Sequence, residues 1–228
     1  DDALLVLLLT AAACAPLGVF LILRRLSMMA DAISHTVLLG IVLAFFVTHD
    51  LGSPWLLFGA ALMCVVTVSL VELLGKTRLV KYDDAIGVIF PLLFALAVIL
   101  ISKYAGNAHL DTDMVLMGEV IYAGLNTVGI GGVEIPAAAL KMGGLALLIA
   151  VFITVFYKEL KVSAFDGEYA RLIGVPTGIL FYAFMSLTSL TTVAAFDAVG
   201  AILVISFFIA PGATALLFTK HLSHTLLL

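Results

Sequence analysis

The chain has 228 residues, of which 64% are hydrophobic and 11% are charged, and its mean hydropathy is +1.26. Soluble domains are nearer half apolar and a quarter charged, so this composition excludes a soluble globular protein. The formal net charge of −4 carries little information, and no nucleic-acid partner is expected. The composition predicts an all-α polytopic membrane protein that forms one transmembrane domain over residues 1–228, with about seven to eight transmembrane helices.

Apolar runs divide the chain into predicted spans that are separated by polar turns. The spans are expected at residues 3–23, 28–47, 55–74, 84–101, 137–157, 173–193 and 198–218. Cys14 and Cys64 stand singly in separate runs, which predicts helix packing instead of a disulfide or a metal site. Because the chain lacks a starting Met and stops inside an apolar run, trimming at both ends is expected.

The region 103–136 does not follow this pattern and is predicted to be irregular and external. Its apolar stretch 114–125 has only 12 residues, too few to cross a bilayer comfortably. The glycines that follow are expected to break any helix, namely Gly124, Gly129, Gly131 and Gly132. If 114–125 is re-entrant, nine of the 11 Lys and Arg residues fall on the cytoplasmic side; if it is a full span, four of these nine move outside. The positive-inside rule therefore favours a re-entrant segment.

Asp31 and His35 lie four residues apart in a run that is otherwise apolar to residue 47. On a helix they share one face, and buried ionisable groups in a span usually mark an ion pathway. Carboxylate and imidazole are ligands for Mn²⁺, Zn²⁺ or Fe²⁺. The alternative is structural: Asp31 would cap the span, and His35 would bond a backbone carbonyl of a neighbouring helix. Another acid, Asp197, falls in the predicted outer turn between the sixth and seventh spans. A turn or N-cap role is expected for it instead of metal binding.

Other acids near membrane depth are secondary candidates for metal ligands. Glu119 lies in the middle of the short apolar segment, where nothing local explains a charge. Asp111 and Asp113 flank the same segment and are expected to face outside. Asp83 and Asp84 open the fourth span, where capping and helix-dipole roles are the default for acids.

The insert at about 158–172 is the only sizeable mixed-charge segment on the predicted cytoplasmic side. Ser163 or Asp166 is expected to cap a short helix that runs to Leu172. Phe165 and Tyr169, two aromatic residues among charges, are typical of an anchor in a partner's groove. The alternative is an ordinary amphipathic turn at the membrane interface. No nucleotide-binding loop or hydrolase motif is present, so any energy must come from elsewhere.

Four ordered motifs resemble the permease subunits of bacterial manganese, zinc and iron ABC importers, the ABC-3 family. The first is Arg25-Leu26-Ser27-Met28-Met29-Ala30-Asp31-Ala32-Ile33-Ser34-His35. The others are residues 84–90, 109–119 and 199–215. The resemblance covers nearly the whole chain. It departs at Leu39, where the family often has Pro, which affects a possible kink and no ligand.

The resemblance implies a dimerising permease in the bacterial inner membrane, paired with a second copy or a paralogue. It also implies a cytoplasmic ABC ATPase and an extracellular or periplasmic metal-binding protein as partners. Asp31 and His35 would contact the ion. The ATPase would dock on the insert through Ser163, Phe165, Asp166, Glu168, Tyr169 and Arg171.

The sequence thus predicts the membrane subunit of an ATP-driven divalent-metal importer, with manganese favoured over zinc or iron because oxygen ligands occur without cysteine. Neither a catalytic residue nor a permanently bound cofactor is expected, since the metal ion is cargo. Three alternatives stay open: an ion-coupled secondary carrier, an intramembrane metalloenzyme and a structural scaffold. The enzyme alternative lacks a third convincing ligand and a general base.

Overall fold

A computed structural model describes residues 2–24, 26–49, 55–77, 79–104, 127–130, 133–219 and 221–226. Seven long helices dominate this part of the chain: α1 Asp2–Leu23, α2 Ser27–Thr48, α3 Trp55–Lys76, α4 Tyr82–Tyr104, α5 Ala137–Val155, α8 Thr177–Val199 and α9 Ala201–Phe218. The shorter elements are β1 Thr127–Ile130, β2 Val133–Pro136, α6 Tyr157–Phe165, α7 Gly167–Leu172 and α10 Leu222–Thr225.

Six of the described helices are long and apolar enough to cross a membrane, with mean hydropathies of 1.7 to 2.8. A helix of 22 residues, such as α1, is about 33 Å long, close to the thickness of a bilayer's hydrocarbon core. The seventh, α9, has 18 residues. These helices confirm the predicted polytopic all-α class and match the seven predicted spans to within a few residues.

The connection between the last two spans differs from the prediction. Span six was expected at 173–193, with Asp197 in the following turn, but α8 covers Thr177–Val199 and therefore includes position 197. The chain reverses at Gly200 instead, whose φ of 82° lies in the left-handed region that glycine adopts readily. At the other end, Gly174 has a φ of 86° and Pro176 precedes the helix, so α8 begins later than expected.

A two-stranded antiparallel hairpin is the only β-structure in the described residues. β1 and β2 pair in register from Thr127 opposite Pro136 to Ile130 opposite Val133. Gly129, one of the four glycines predicted to break a helix, lies in β1, whereas Gly124, Gly131 and Gly132 fall outside the described residues. The hairpin itself was not expected. Residues 105–126, which include the predicted re-entrant segment, lie outside the described residues.

The helix directions agree with the predicted topology. A hydrogen bond between Arg24 and Ser163 joins the end of α1 to the insert that follows α5, so α1 and α5 point to the same side. Lys81 and Tyr82, at the start of α4, line a cavity with these residues, so α4 begins on that side and ends on the other. The end of α4 and the start of α5 therefore lie on the same side.

Close contacts at small residues fix the packing of the helices around α1 and α2. A Cβ built on Gly18 of α1 would lie 1.7 Å from the backbone oxygen of Phe208 in α9. A Cβ on Gly40 of α2 would lie 2.4 Å from the backbone oxygen of Gly59 in α3. Such glycine contacts are the usual means by which membrane helices approach closely. Cys14 and Cys64 are buried and unbridged, as predicted.

Candidate metal site and cytoplasmic insert

Asp31 and His35 form a side-chain pair on α2. The Nε2 atom of His35 lies 3.3 Å from Oδ1 of Asp31, and the side chains are 26% and 34% exposed. With a rise of about 1.5 Å per residue, the pair lies roughly 6 to 12 Å from the beginning of α2 at Ser27. It is therefore in the half of the helix near Arg24, as the topology predicted.

Neither of the two structural contacts considered for Asp31 and His35 is seen among the described residues. Leu26 is the N-cap of α2 and the first turn holds no acid, so Asp31 does not cap this helix. Nδ1 of His35 is buried without a hydrogen-bond partner among the described residues, and Nε2 faces Asp31. No described backbone carbonyl thus accepts from this imidazole, and both side chains keep donor atoms that a cation could use.

Two aromatic rings of α4 enclose the imidazole. The centroid of His35 lies 5.1 Å from that of Phe90, with the planes tilted by 32°, and 5.5 Å from that of Phe94, with the planes at 73°. Phe90 and Phe94 are four residues apart, so both face α2. The sequence reasoning missed these two residues. Their spacing was visible, but nothing local indicated that this face of α4 meets His35.

One copy of the chain brings together no more than two potential metal ligands at any one place in the described ranges. No group of three His, Cys, Asp or Glu residues is found there. Glu119, Asp111 and Asp113 lie outside the described residues. Asp83 and Asp84 are exposed in the first turn of α4, where their charge complements the helix dipole. Asp83 lines the cavity beside the insert and is seven residues from Phe90, about 10 Å along α4.

The insert consists of two helices joined at Asp166, whereas one short helix capped by Ser163 or Asp166 was expected. Oδ1 of Asp166 accepts hydrogen bonds from the backbone N–H groups of Glu168 and Tyr169, at 3.1 and 2.9 Å. This confirms Asp166 as the cap of α7. Ser163 has a different role, since its hydroxyl lies within α6 and accepts a hydrogen bond from Arg24.

The aromatic residues of the insert are exposed, as predicted. Phe165 is 66% exposed and Tyr169 is 54% exposed. Leu160 and Ala170 are buried, so each insert helix is anchored to the body of the protein on its other side. Arg171 donates from Nε to Oγ1 of Thr177 at 3.0 Å, which ties α7 to the first turn of α8.

A cavity of about 540 Å³ opens between the insert and the inner ends of the spans. Its walls include three cations and two acids: Arg24, Lys81, Arg171, Glu72 and Asp83. The insert, the α1–α2 junction and the start of α4 therefore meet around one cavity at the same end of the helix bundle.

Residues 1–228 match the ABC 3 transport family over their whole length. The chain belongs to this family. It is 46% identical over 221 residues to the manganese transport system membrane protein MntD of Bacillus subtilis, covering 96% of this chain and 75% of the relative. It is 44% identical over 210 residues to the zinc transport system membrane protein TroD of Treponema pallidum, covering 92% of this chain and 57% of the relative.

The fold is also that of a solved structure. PsaBC from Streptococcus pneumoniae in complex with Fab superposes with a TM-score of 0.76 and 29% identity, covering 99% of this chain and 75% of that chain. The ABC-3 resemblance is thereby confirmed, and the chain is a multi-pass permease subunit of a metal ABC importer. Its role is transport, as predicted, and it is not itself an enzyme. The similar identities to a manganese and a zinc protein do not distinguish the metal.

Proposed function

We propose that this permease carries divalent transition-metal ions inward, with manganese favoured over zinc or iron. The supporting observation is the Asp31–His35 pair, which presents a carboxylate oxygen and an imidazole nitrogen 3.3 Å apart on one face of α2. Hard oxygen donors with imidazole and without cysteine suit Mn²⁺, although imidazole is also a common ligand of Zn²⁺ and Fe²⁺. Glu119, Asp111 and Asp113 remain candidates for a path from outside.

We infer that the ion passes between two permeases, either two copies or this chain and a paralogue. Transition metals in proteins take about four or more ligands, and one copy offers two in its described residues. The pair is partly exposed instead of sealed in the helix bundle. A second pair facing the first would supply four donors while leaving the binding weak enough for release.

We further propose that a cytoplasmic ATPase docks on the insert and drives transport. The support is the exposed Phe165 and Tyr169, held on two short helices by the Asp166 cap. Glu168 and Arg171 flank these aromatic residues with charges of both signs. An aromatic anchor surrounded by charges is typical of a docking surface that binds a groove on a partner.

The proposal also includes a metal-delivery partner and a location in the cell. An extracellular or periplasmic metal-binding protein would deliver the ion at the end of the permease opposite the insert, and the complex would lie in the bacterial cytoplasmic membrane. The metal is cargo, so no resident cofactor is included. We treat residues 1–228 as one permease domain, since buried residues from α1 through α10 belong to one large apolar cluster.

Proteoliposomes that contain the permease with and without its ATPase test this function. We expect uptake of Mn²⁺ only when both ATP and the ATPase are present on the insert side. Competition with Zn²⁺ and Fe²⁺ in the same assay ranks the metals. Uptake that continues at full rate without ATP would instead identify an ion-coupled secondary carrier.

A further inference from the structure

Arg24 is a half-buried cation at the junction between α1 and α2. It follows Leu23, the last residue of α1, and its Nη2 atom donates a hydrogen bond to the Ser163 hydroxyl of α6. Its Cζ atom lies 5.8 Å from the ring centroid of Phe181 and 5.7 Å from that of Phe184, both in α8. One guanidinium therefore contacts the insert and two aromatic rings of a membrane span.

The placement of this cation is more specific than membrane topology requires. The positive-inside rule needs only a charge near the cytoplasmic end of the span, and an exposed arginine would satisfy it. Arg24 is instead largely withdrawn from water, and this burial lowers the pKa of its guanidinium. Its Nε is buried without a hydrogen-bond partner among the described residues. A half-buried cation whose buried Nε lacks a partner is costly, which indicates a role beyond orientation.

Arg24 stands between the proposed docking surface and the proposed ion site. On one side, Ser163 is two residues from Phe165 in the same helix, α6. On the other side, the short connection to α2 is held by backbone hydrogen bonds from Leu26 N to Leu21 O at 2.8 Å and from Met29 N to Leu26 O at 2.9 Å. A displacement of α6 that pulls on Arg24 is thus passed to the first turn of α2, just before Asp31.

A second side-chain hydrogen bond from the insert leads elsewhere. Arg171 joins α7 to the start of α8 through the Thr177 hydroxyl, and it is exposed. That bond holds the insert but does not reach the α1–α2 junction. The Arg24–Ser163 hydrogen bond, in contrast, reaches this junction directly.

We propose that Arg24 is a positioning residue that couples movement of the ATPase-docking insert to the helix bearing Asp31 and His35. This inference rests on the proposed function. The Ser163 hydroxyl is the point of attachment on α6, and the rings of Phe181 and Phe184 hold the guanidinium in the orientation that bonding requires. Because Lys has one compact charge and no planar fork, it cannot make the hydrogen bond and stack on both rings at once.

The test measures metal uptake per ATP hydrolysed in the full complex reconstituted into proteoliposomes. Arg24→Lys keeps the charge that sets topology, and Ser163→Ala removes only the acceptor. For each variant we expect the ATPase to co-purify and to hydrolyse ATP, while uptake per ATP falls about tenfold, a typical size for coupling between two sites. The double variant is expected to be no worse than either single variant, because both remove the same bond. Lys81→Gln is the matched control, since it removes an exposed cation from the same cavity.

The possible outcomes separate this inference from the proposed function. An unchanged ratio of uptake to ATP in both single variants would overturn the role of Arg24, provided that wild-type uptake requires ATP. Failure of wild-type uptake to require ATP would overturn the proposed function itself. If Arg24→Lys does not assemble, Ser163→Ala decides: a lowered ratio supports the inference and a wild-type ratio rejects it.

Discussion

The imidazole of His35 packs against the ring of Phe90, with their centroids 5.1 Å apart and their planes tilted by 32°. Phe94 closes a second side of the imidazole from one helical turn further along α4. The rings limit the orientations that His35 can adopt and leave Nε2 directed toward Asp31. A metal ligand that is already oriented loses less conformational entropy when it binds.

Replacing either aromatic residue is therefore expected to weaken metal capture without unfolding the protein. For Phe90→Leu and Phe94→Leu, we expect the KM for Mn²⁺ uptake to rise about three- to tenfold, since an aromatic pair contributes about 0.5–1.5 kcal/mol beyond its buried area. Phe58→Leu is the control, because Phe58 is an exposed ring on α3. A KM unchanged in both α4 variants would show that the rings do not position His35.

Substituting Asp31 or His35 should lower metal uptake more than substituting Phe90 or Phe94 does. Asp31→Asn keeps the shape of the side chain but removes its charge, and His35→Ala removes the nitrogen donor. Loss of residues that merely orient ligands costs 10–100-fold in metal affinity, so we expect uptake to fall by about 100-fold or more. The complex should still assemble, because both side chains are partly exposed. Asp2→Asn is the control. Uptake by Asp31→Asn near the wild-type rate would show that this pair does not contact the ion.

The pairing of Asp31 with His35 could be predicted because it depends only on helical spacing within one span. The contacts of Phe90 and Phe94 could not, since no periodicity in α4 tells which helix this face meets. Arg24 was recognisable as a predicted cytoplasmic charge, but its hydrogen-bond partner, Ser163, lies 139 positions later in the chain. Local signals thus identified the candidate ligands and missed the residues that contact them or adjoin their helix.

Two errors of local structure have simple physical causes. Asp197 was assigned to a turn because acids are rare inside apolar helices, but the left-handed backbone conformation falls at Gly200. The hairpin was missed because its glycines were treated only as helix breakers. Apolar residues on both sides of Gly131-Gly132 are typical of a hairpin with a tight glycine turn.

Truncating Phe165 should release the ATPase while leaving the permease folded. The side chain is 66% exposed, so Phe165→Ala removes little internal packing. Loss of an aromatic anchor at a protein interface often costs about 2 kcal/mol or more, so we expect at least about tenfold weaker ATPase binding. Co-purification of the ATPase measures this effect. Phe218→Ala, at an exposed aromatic residue near the end of α9, is the matched control; equal ATPase recovery from both variants would refute docking at Phe165.

The N-cap formed by Asp166 should keep α7 folded and so maintain the proposed docking surface. Asp166→Ala removes the acceptor of two backbone hydrogen bonds and should destabilise α7 by about 1 kcal/mol. Asp166→Asn keeps a capping oxygen without the charge. If the residue acts through the cap, Asn restores ATPase binding and Ala does not. Equal loss in both variants would instead indicate that the charge of Asp166 itself contacts the partner.

The contact of Gly18 with Phe208 predicts how firmly α1 is packed on α9. In Gly18→Ala, the new Cβ would lie 1.7 Å from a backbone oxygen, so the two helices must separate. Overpacking of this kind typically costs about 1–3 kcal/mol, and we expect a lower thermal unfolding temperature in detergent. Gly144→Ala in α5 is the control, since its Cβ meets nothing within 4 Å and alanine favours helix. Equal unfolding temperatures for the two variants would mean that α1 and α9 do not approach this closely in the membrane protein.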